Sequence, residues 1–246
     1  MNKKILLLPS LAGLATLLGN IPTYLNSSKK EKIIGKSLSF SAGIIMSISL
    51  FSLIPESYQY LAEQNNFKKG CLVLLYILLG IIISTLIKQR TEKESKKDAL
   101  YRVGLMNTIA LMLHNIPEGI ITYLTTKANQ QVGLSLTIAI AIHNIPEGIA
   151  IAVPIYYSTK SHIKSIFMTL LAGFSELLGA VLTHVLLRKI ITKSFLGYIL
   201  SITAGIMIEI TVKELIPSAK KYESKKNILV LFLTGVIMMI LLIKFL

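Results

Sequence analysis

His114-Asn115-Ile116-Pro117-Glu118-Gly119 is a six-residue stretch that returns 29 residues later as His143-Asn144-Ile145-Pro146-Glu147-Gly148. Both copies lie in the middle of long apolar runs, at residues 103–124 and 132–156. An ionisable side chain buried at membrane depth is costly and therefore indicates a functional role. On a helix, the histidine and the glutamate of each copy are four residues apart and share one face. Imidazole and carboxylate groups together bind divalent transition metals, so the two copies predict a shared metal site.

Each copy also contains a proline and a glycine. Proline has no N–H, so Pro117 and Pro146 each free a backbone carbonyl one turn earlier. The glycine that follows the glutamate lets a neighbouring helix or an ion approach closely. We therefore expect both helices to be broken at the proline, where the backbone would face an ion pathway rather than lipid.

The composition places the chain in a membrane. Its 246 residues are 53% hydrophobic with a mean hydropathy of +0.66, which is too apolar for an ordinary soluble domain. We predict one transmembrane domain over residues 1–246, with the lipid bilayer as its surroundings. The net charge is +14, but Lys and Arg mark cytoplasmic loops in membrane proteins, so we predict no nucleic-acid partner. Cys71 is the single cysteine, which excludes an internal disulfide and a cysteine-cluster metal site.

Apolar runs of bilayer-spanning length predict eight transmembrane spans. Their approximate bounds are residues 5–25, 33–61, 71–88, 103–125, 132–157, 163–187, 195–218 and 228–246. The connections 1–2, 3–4, 5–6 and 7–8, counted with Lys36, Lys88 and Lys164 at the adjoining span ends, hold 16 Lys and Arg residues, whereas the remaining connections and the termini, counted with Lys244, hold 9. This excess predicts a multi-pass protein of the cell membrane with both termini outside the cytoplasm.

A longer internal repeat relates the two ends of the chain. Spans 2 and 7 share two short segments at an offset of 162: Ala42-Gly43-Ile44 with Ala204-Gly205-Ile206, and Leu53-Ile54-Pro55 with Leu215-Ile216-Pro217. Spans 1 and 6 share the paired glycines Gly13 and Gly19, Gly173 and Gly179, at an offset of 160. An odd number of spans separates the repeat units, so the repeats run in opposite directions through the membrane. Inverted repeats with a site at their interface are typical of transporters.

With these motifs the chain resembles the ZIP family of divalent-metal transporters, and within it the bacterial ZupT-like branch. The resemblance rests on both His-Asn-Ile-Pro-Glu-Gly copies, on Glu176-Leu177-Leu178-Gly179 and on Glu214-Leu215-Ile216-Pro217. It implies an all-α bundle of eight helices arranged 3+2+3, and a mid-membrane site for two metal ions. The residues that match one metal position are His114, Glu118, His143 and Glu147; those that match the second are Asn115, Asn144 and Glu176. Glu118 and Glu147 would bridge the two positions.

Four acidic residues outside the motif copies lie within the predicted spans. Glu176 is the only carboxylate in its span, which independently favours a ligand role. Glu214 is a candidate for the exit route: our hypothesis is that Glu209 pairs with Lys213 one turn later and leaves Glu214 as a free acid. We interpret Glu56 as an acid at a span end.

The resemblance implies uptake of divalent metal ions into the cytoplasm by a protein that is not an enzyme. Nitrogen and oxygen ligands without thiolate suit Zn²⁺ and also Fe²⁺, Mn²⁺, Co²⁺ and Cd²⁺. Two alternatives remain open at this point, a metal efflux carrier and an intramembrane metallohydrolase. The second would need an activated water and a general base, usually arranged as His-Glu-x-x-His, which is not the order seen here. A homodimer is one assembly that the sequence leaves open.

Overall fold

The computed structural model describes residues 4–25, 30–61, 65–94, 98–185 and 192–245. Within these ranges the chain forms eight long helical units, which confirms the predicted all-α fold class. In chain order they are α1 (Lys4–Ala15, continued by a 3-10 helix, Thr16–Tyr24), α2 (Lys30–Tyr60), α3 (Asn66–Glu94), α4 (Ala99–Ala128), α5 (Gln130–Thr159), α6 (His162–Val185), α7 (Lys193–Ala219) and α8 (Lys225–Phe245). The predicted ends of the sixth span at Leu187 and of the eighth at Leu246 lie outside the described residues.

The two motif helices are joined by a single residue. Asn129 caps the start of α5, because its side-chain oxygen accepts hydrogen bonds from the backbone N–H groups of Gln131 and Val132. At the other end of the pair, Asp98 caps α4 by accepting from the N–H of Leu100. So short a connection makes α4 and α5 an antiparallel pair and brings the two motif copies side by side.

Seven of the described helices are long and apolar enough to cross a membrane. The remaining long helix is α4, which has 30 residues and carries the first motif copy among further polar side chains. Burial distinguishes the helices from one another. In their most apolar stretches α2, α5 and α7 are 61% buried, whereas α3 and α8 are 17% buried. α3 and α8 therefore present mainly apolar surface to the outside of the bundle.

The helices are not broken at the motif prolines, so that prediction was wrong. Both α4 and α5 continue as α-helix through Pro117 and Pro146. One proline removes a single hydrogen bond from a helix of 30 residues, and the turns on either side remain bonded. Interruptions lie elsewhere, in π-helical turns at Ser49–Leu53 of α2 and Thr211–Leu215 of α7. The two interruptions are related by the same offset of 162 as the sequence repeat.

Helix packing follows the same repeat. Gly43 in α2 packs against the carbonyl group of Phe232 in α8, and Gly205 in α7 packs against the carbonyl group of Ile77 in α3. The two contacts are equivalent when α2 is mapped onto α7 and α8 onto α3. At each position a Cβ atom would overlap the partner's backbone, so only glycine permits this approach. The repeat seen in the sequence is therefore also a repeat of contacts.

The centre of the bundle is formed by α1, α4, α5 and α6. Gly13 and Gly173 face each other, and each would collide with the other's carbonyl oxygen if it carried a Cβ. Gly119 of the first motif packs on the Glu176 carbonyl, and Gly148 of the second packs on the Thr16 carbonyl. This close packing holds α6 against the first motif copy and α1 against the second.

Candidate metal centre

The histidines and glutamates of the two motif copies meet in one buried cluster. The Oε1 atom of Glu118 lies 3.2 Å from Nε2 of His114 and 3.0 Å from Nε2 of His143. The Nε2 atom of His114 is also 3.4 Å from Oε1 of Glu147. Each contact therefore joins an imidazole to a carboxylate, and each motif copy contributes one histidine and one glutamate.

One ion could be held by ligand atoms from both helices. Single ligand atoms of His114, His143 and Glu147 all lie within 4.8 Å of one another. Ligand atoms around one bound transition metal lie somewhat closer together than this, because each metal–ligand bond is only about 2.0–2.2 Å long. Small side-chain rotations would close the difference. The set of ligands predicted for the first metal position is thus brought together by the fold.

Burial and charge make the cluster suitable for a cation. Glu147 and His114 have no exposed surface, and Glu118 is 8% exposed. Among the described residues, none of the carboxylates of Glu118, Glu147 and Glu176 forms an ion pair with lysine or arginine. Buried carboxylates without a compensating charge are destabilising, and a divalent cation would supply that charge.

The second predicted position is built around two asparagines and Glu176. Nδ2 of Asn144 donates to Oε2 of Glu176 at 3.0 Å and to the carbonyl oxygen of Ala12, also at 3.0 Å. Nδ2 of Asn115 donates to the carbonyl oxygen of Ala172 at 2.9 Å. Because both amide nitrogens are occupied, the amide oxygens are the atoms left to face a ligand.

Several buried acceptor atoms at this position have no hydrogen-bond partner among the described residues. They are Oδ1 of Asn115, Oδ1 of Asn144 and Oε1 of Glu176, together with Oε2 of Glu118 and both carboxylate oxygens of Glu147 nearby. Buried acceptors are normally satisfied, so a group of unsatisfied oxygens indicates a missing partner. Oxygen acceptors from three helices fit a metal ion as that partner.

A vestibule leads to the cluster from one end of the bundle. It consists of two adjoining cavities of about 260 and 540 Å³ that share Glu56, Ile121, Leu136 and Ala139 in their walls. The inner cavity reaches Glu118 and His143. The outer cavity extends past Gln59 to Lys193 at the start of α7. The ends of α2 and α4 and the beginnings of α5 and α7 surround this vestibule.

Glu56, which we interpreted from the sequence as an acid at a span end, lines the vestibule. The structure places it in the wall of both cavities rather than at an isolated helix end, and its Oε1 accepts a hydrogen bond of 2.7 Å from Oγ of Ser52. The spacing of four residues between Ser52 and Glu56 was the available signal, since it places both on one helix face. Which cavity that face borders depends on packing against α4 and α5.

Glu214 is not a free acid, which corrects our hypothesis for this part of α7. Its Oε1 lies 2.5 Å from Nζ of Lys88. Lys88 lies near the end of α3 that is farther from the vestibule. The expected pair of Glu209 and Lys213 is present but long, at 3.9 Å, and the Lys213 side chain is 60% exposed. Glu209 also accepts a hydrogen bond of 3.3 Å from Oγ1 of Thr85. Both glutamates therefore connect α7 to α3.

The fold and the site together define a class of protein. It is an all-helical membrane protein whose buried centre offers imidazole, carboxylate and amide ligands to a divalent cation. Residues 84–243 match the family model described as ZIP Zinc transporter.

Curated relatives extend the match over most of the chain. A protein named zinc transporter ZupT from Chlorobium luteolum is 38% identical over 234 residues, which cover 88% of each chain. Proteins of the same name are 35% identical in Streptococcus mutans, over 88% of this chain and 87% of the relative, and 32% identical in Clostridium perfringens, over 95% and 92%. The chain therefore belongs to the ZIP family. It is a divalent-metal transporter and not an enzyme.

Proposed function

We propose that this protein takes up Zn²⁺ across the cell membrane into the cytoplasm through the buried centre formed by α4, α5 and α6. The observation that carries the proposal is the cluster of His114, His143 and Glu147, whose ligand atoms lie within 4.8 Å of one another. The name of the relatives, zinc transporter, supports zinc as the cargo. His114, Glu118, His143 and Glu147 hold one ion, and Asn115, Asn144 and Glu176 contribute to an adjacent position.

The vestibule would be the entrance. The loop charges assign the ends of α2 and α4 to the outside of the cell, and these ends surround the vestibule. An ion entering there meets Glu56 first and then Glu118 and His143, which line the inner cavity. From His143 it passes to Glu147 and Glu176, which lie deeper in the bundle. The carboxylates thus provide successive oxygen ligands along one direction.

The route would leave on the opposite side, near Glu214. In the pseudo-symmetric arrangement Glu214 corresponds to Ser52, at an offset of 162, and Ser52 lines the vestibule. The Lys88–Glu214 ion pair joins α3 and α7 at this end and would close it. Transport by alternating access requires the two ends to open in turn, so the pair would separate when the inner side opens.

Broad cation selectivity follows from the ligand types. Imidazole and carboxylate ligands without thiolate accept several divalent ions of intermediate hardness, including Fe²⁺, Mn²⁺, Co²⁺ and Cd²⁺. Because these ligands must be deprotonated to bind, loading of the centre competes with protons, and uptake should weaken in acid.

The experiment that tests the function is a flux assay with the purified protein in proteoliposomes. We expect wild type to accumulate ⁶⁵Zn²⁺, with unlabelled Fe²⁺, Mn²⁺ and Cd²⁺ as competitors. The variant Glu118→Gln/Glu147→Gln keeps the side-chain shape but removes two ligand charges. Its flux should fall by about two orders of magnitude or more, since two ionic ligands to a buried cation are lost.

The matched control is Glu31→Gln/Glu223→Gln, which removes the same charge outside the metal centre. This control should transport zinc like wild type. Equal flux in the Glu118→Gln/Glu147→Gln protein would contradict the assigned site, and zinc flux no greater than in empty liposomes for wild type would contradict the function itself.

A further inference from the structure

Thr16 in α1 is a buried hydroxyl with no hydrogen-bond partner among the described residues. The side chain is 1% exposed. Threonines inside helices usually donate to the carbonyl four residues earlier, as Thr137 does to Gly133 here. For Thr16 that carbonyl belongs to Ala12, which accepts the side-chain amide of Asn144, and the Thr16 hydroxyl makes no hydrogen bond to it. The hydroxyl is therefore unpaired in a turn of α1 that itself binds Asn144, a residue of the metal centre.

The packing around Thr16 places it between the two helices that carry Glu147 and Glu176. Its carbonyl oxygen lies where a Cβ on Gly148 would be, one residue after Glu147. Its Oγ1 lies 3.2 Å from the position of a Cβ on Gly173, one turn before Glu176. The ligand-bearing faces of α5 and α6 thus approach Thr16 from two sides.

The inverted repeat assigns Thr16 a specific counterpart. At the offset of 160 that relates α1 to α6, Thr16 corresponds to Glu176. The contacts agree, because Gly119 packs on the Glu176 carbonyl as Gly148 packs on the Thr16 carbonyl. The asparagine contacts agree as well: Asn115 donates to the carbonyl of Ala172 in α6, and Asn144 donates to that of Ala12 in α1. Thr16 is therefore the neutral residue at the place where the other repeat has a carboxylate.

We propose that the Thr16 hydroxyl is an additional oxygen ligand for the cargo ion at the position formed by Asn115, Asn144 and Glu176. This inference rests on the proposed function and adds a ligand from a fourth helix, α1. A hydroxyl supplies an oxygen without adding negative charge, so the position holds one carboxylate fewer than it would if both repeats carried a glutamate there. Fewer charges at a buried site favour release of a divalent cation over tight retention.

The test is zinc flux in proteoliposomes with two substitutions of the same residue. Thr16→Val removes the oxygen and keeps the shape, whereas Thr16→Ser keeps the oxygen. We expect Thr16→Val to raise the half-saturating Zn²⁺ concentration about fivefold to tenfold, because one oxygen interaction with the ion is lost. Thr16→Ser should stay within about twofold of wild type on the same scale.

A selectivity measurement adds a readout that a purely structural role would not change. Hard cations depend more on oxygen ligands than soft cations do. Competition by Mn²⁺ against ⁶⁵Zn²⁺ should therefore weaken more than competition by Cd²⁺ in Thr16→Val. Stabilisation of the purified variant by added Zn²⁺, measured as a shift in unfolding temperature, should also be smaller than in wild type.

The matched control is Thr126→Val. Thr126 is likewise buried and unpartnered among the described residues, but it lies eight residues beyond Glu118, about 12 Å along α4. The control should leave half-saturation and selectivity unchanged. The proposal is overturned if Thr16→Val matches wild type, if Thr16→Ser is impaired equally, or if Thr126→Val produces the same change. Each of these results can occur while wild type transports zinc and Glu118→Gln/Glu147→Gln does not, so the proposed function would stand.

Discussion

The side chain of Glu118 summarises the chemistry of the metal centre at the scale of one residue. One of its oxygens contacts two imidazoles, from His114 and His143, and the other has no partner within the described ranges. A carboxylate in that setting can bind an ion with one oxygen while the other keeps a histidine oriented. The spacing in the sequence predicted the contact to His114. The contact to His143 joins two different helices and depends on how α4 and α5 pack.

Glu56 provides a prediction about entrance to the centre. Glu56→Gln removes the vestibule carboxylate but leaves the buried ligands intact. We expect the half-saturating Zn²⁺ concentration to rise about threefold to fivefold while the maximal rate changes little, because the loss affects capture of a diffusing cation. Initial uptake rates at a series of Zn²⁺ concentrations, in low salt, would measure both quantities.

Added salt and a neighbouring substitution serve as controls for Glu56. Salt should reduce the difference between Glu56→Gln and wild type, since it screens attraction outside the buried centre. Ser52→Ala, which removes the hydrogen bond to Glu56, should have a weaker effect in the same direction. A fall in maximal rate with unchanged half-saturation would argue against a role in capture.

At the scale of elements, two ion pairs at the contact between α3 and α7 differ in length and in exposure. The pair of Lys88 and Glu214 is short, with side chains 29% and 11% exposed, whereas Lys213 reaches Glu209 at 3.9 Å from a largely exposed position. Exposed pairs contribute little to stability, and partly buried pairs leave a costly charge when one partner is removed. The order of charges along α7 alone could not distinguish these cases, because Lys88 is 126 residues away in sequence.

We therefore expect Lys88→Ala to lower the free energy of unfolding by about 1–2 kcal/mol, since it leaves Glu214 unpaired in a protein interior. Lys213→Ala should lower it by less than about 0.5 kcal/mol. Thermal unfolding of the two purified variants in the same detergent and salt would measure the difference. Lys88→Ala combined with Glu214→Gln should recover most of the loss, because the uncompensated charge is then removed as well.

A larger loss of stability in Lys213→Ala than in Lys88→Ala would contradict the importance of the Lys88–Glu214 pair. If Lys213→Ala destabilised the protein more than Lys88→Ala, Glu209 rather than Glu214 would be the glutamate that requires compensation. Recovery that fails in the double variant would show that Lys88 acts through packing of its aliphatic stem instead of its charge.

At the scale of the whole molecule, the inverted repeat explains why one centre receives ligands from both halves. α1 and α6 meet at Gly13 and Gly173, and Gly119 of α4 packs on α6 as Gly148 of α5 packs on α1. The repeat also predicts that the two ends of the bundle open to the metal centre in turn. The vestibule opens beside α2, and the equivalent place beside α7 holds the Lys88–Glu214 pair.

The orientation of the molecule can be tested with single cysteines in a Cys71→Ser background. Gln131 and Lys164 are exposed and lie at opposite ends of the bundle, in α5 after the 4–5 connection and in α6 after the 5–6 connection. We expect Gln131→Cys to react with a membrane-impermeant maleimide in intact cells and Lys164→Cys to react only after the membrane is permeabilised. The readout is a mass shift of the labelled protein.

Labelling after permeabilisation is the internal control, because it shows that both cysteines are reactive. The reverse pattern would invert the topology, so that the vestibule would face the cytoplasm and the proposed direction of uptake would fail. Labelling of both positions in intact cells would contradict a single orientation.

The sequence by itself determined the class of fold, the eight apolar runs and the inverted repeat, because hydropathy and residue spacing are local properties of the chain, and its resemblance to the ZIP family supplied the seven ligand candidates. Only the tertiary structure decided what depends on contacts between distant segments. Those contacts place Glu56 in the vestibule and pair Glu214 with Lys88. They also bring Asn144, from another helix, onto the Ala12 carbonyl one turn before Thr16, whose buried hydroxyl has no hydrogen-bond partner among the described residues.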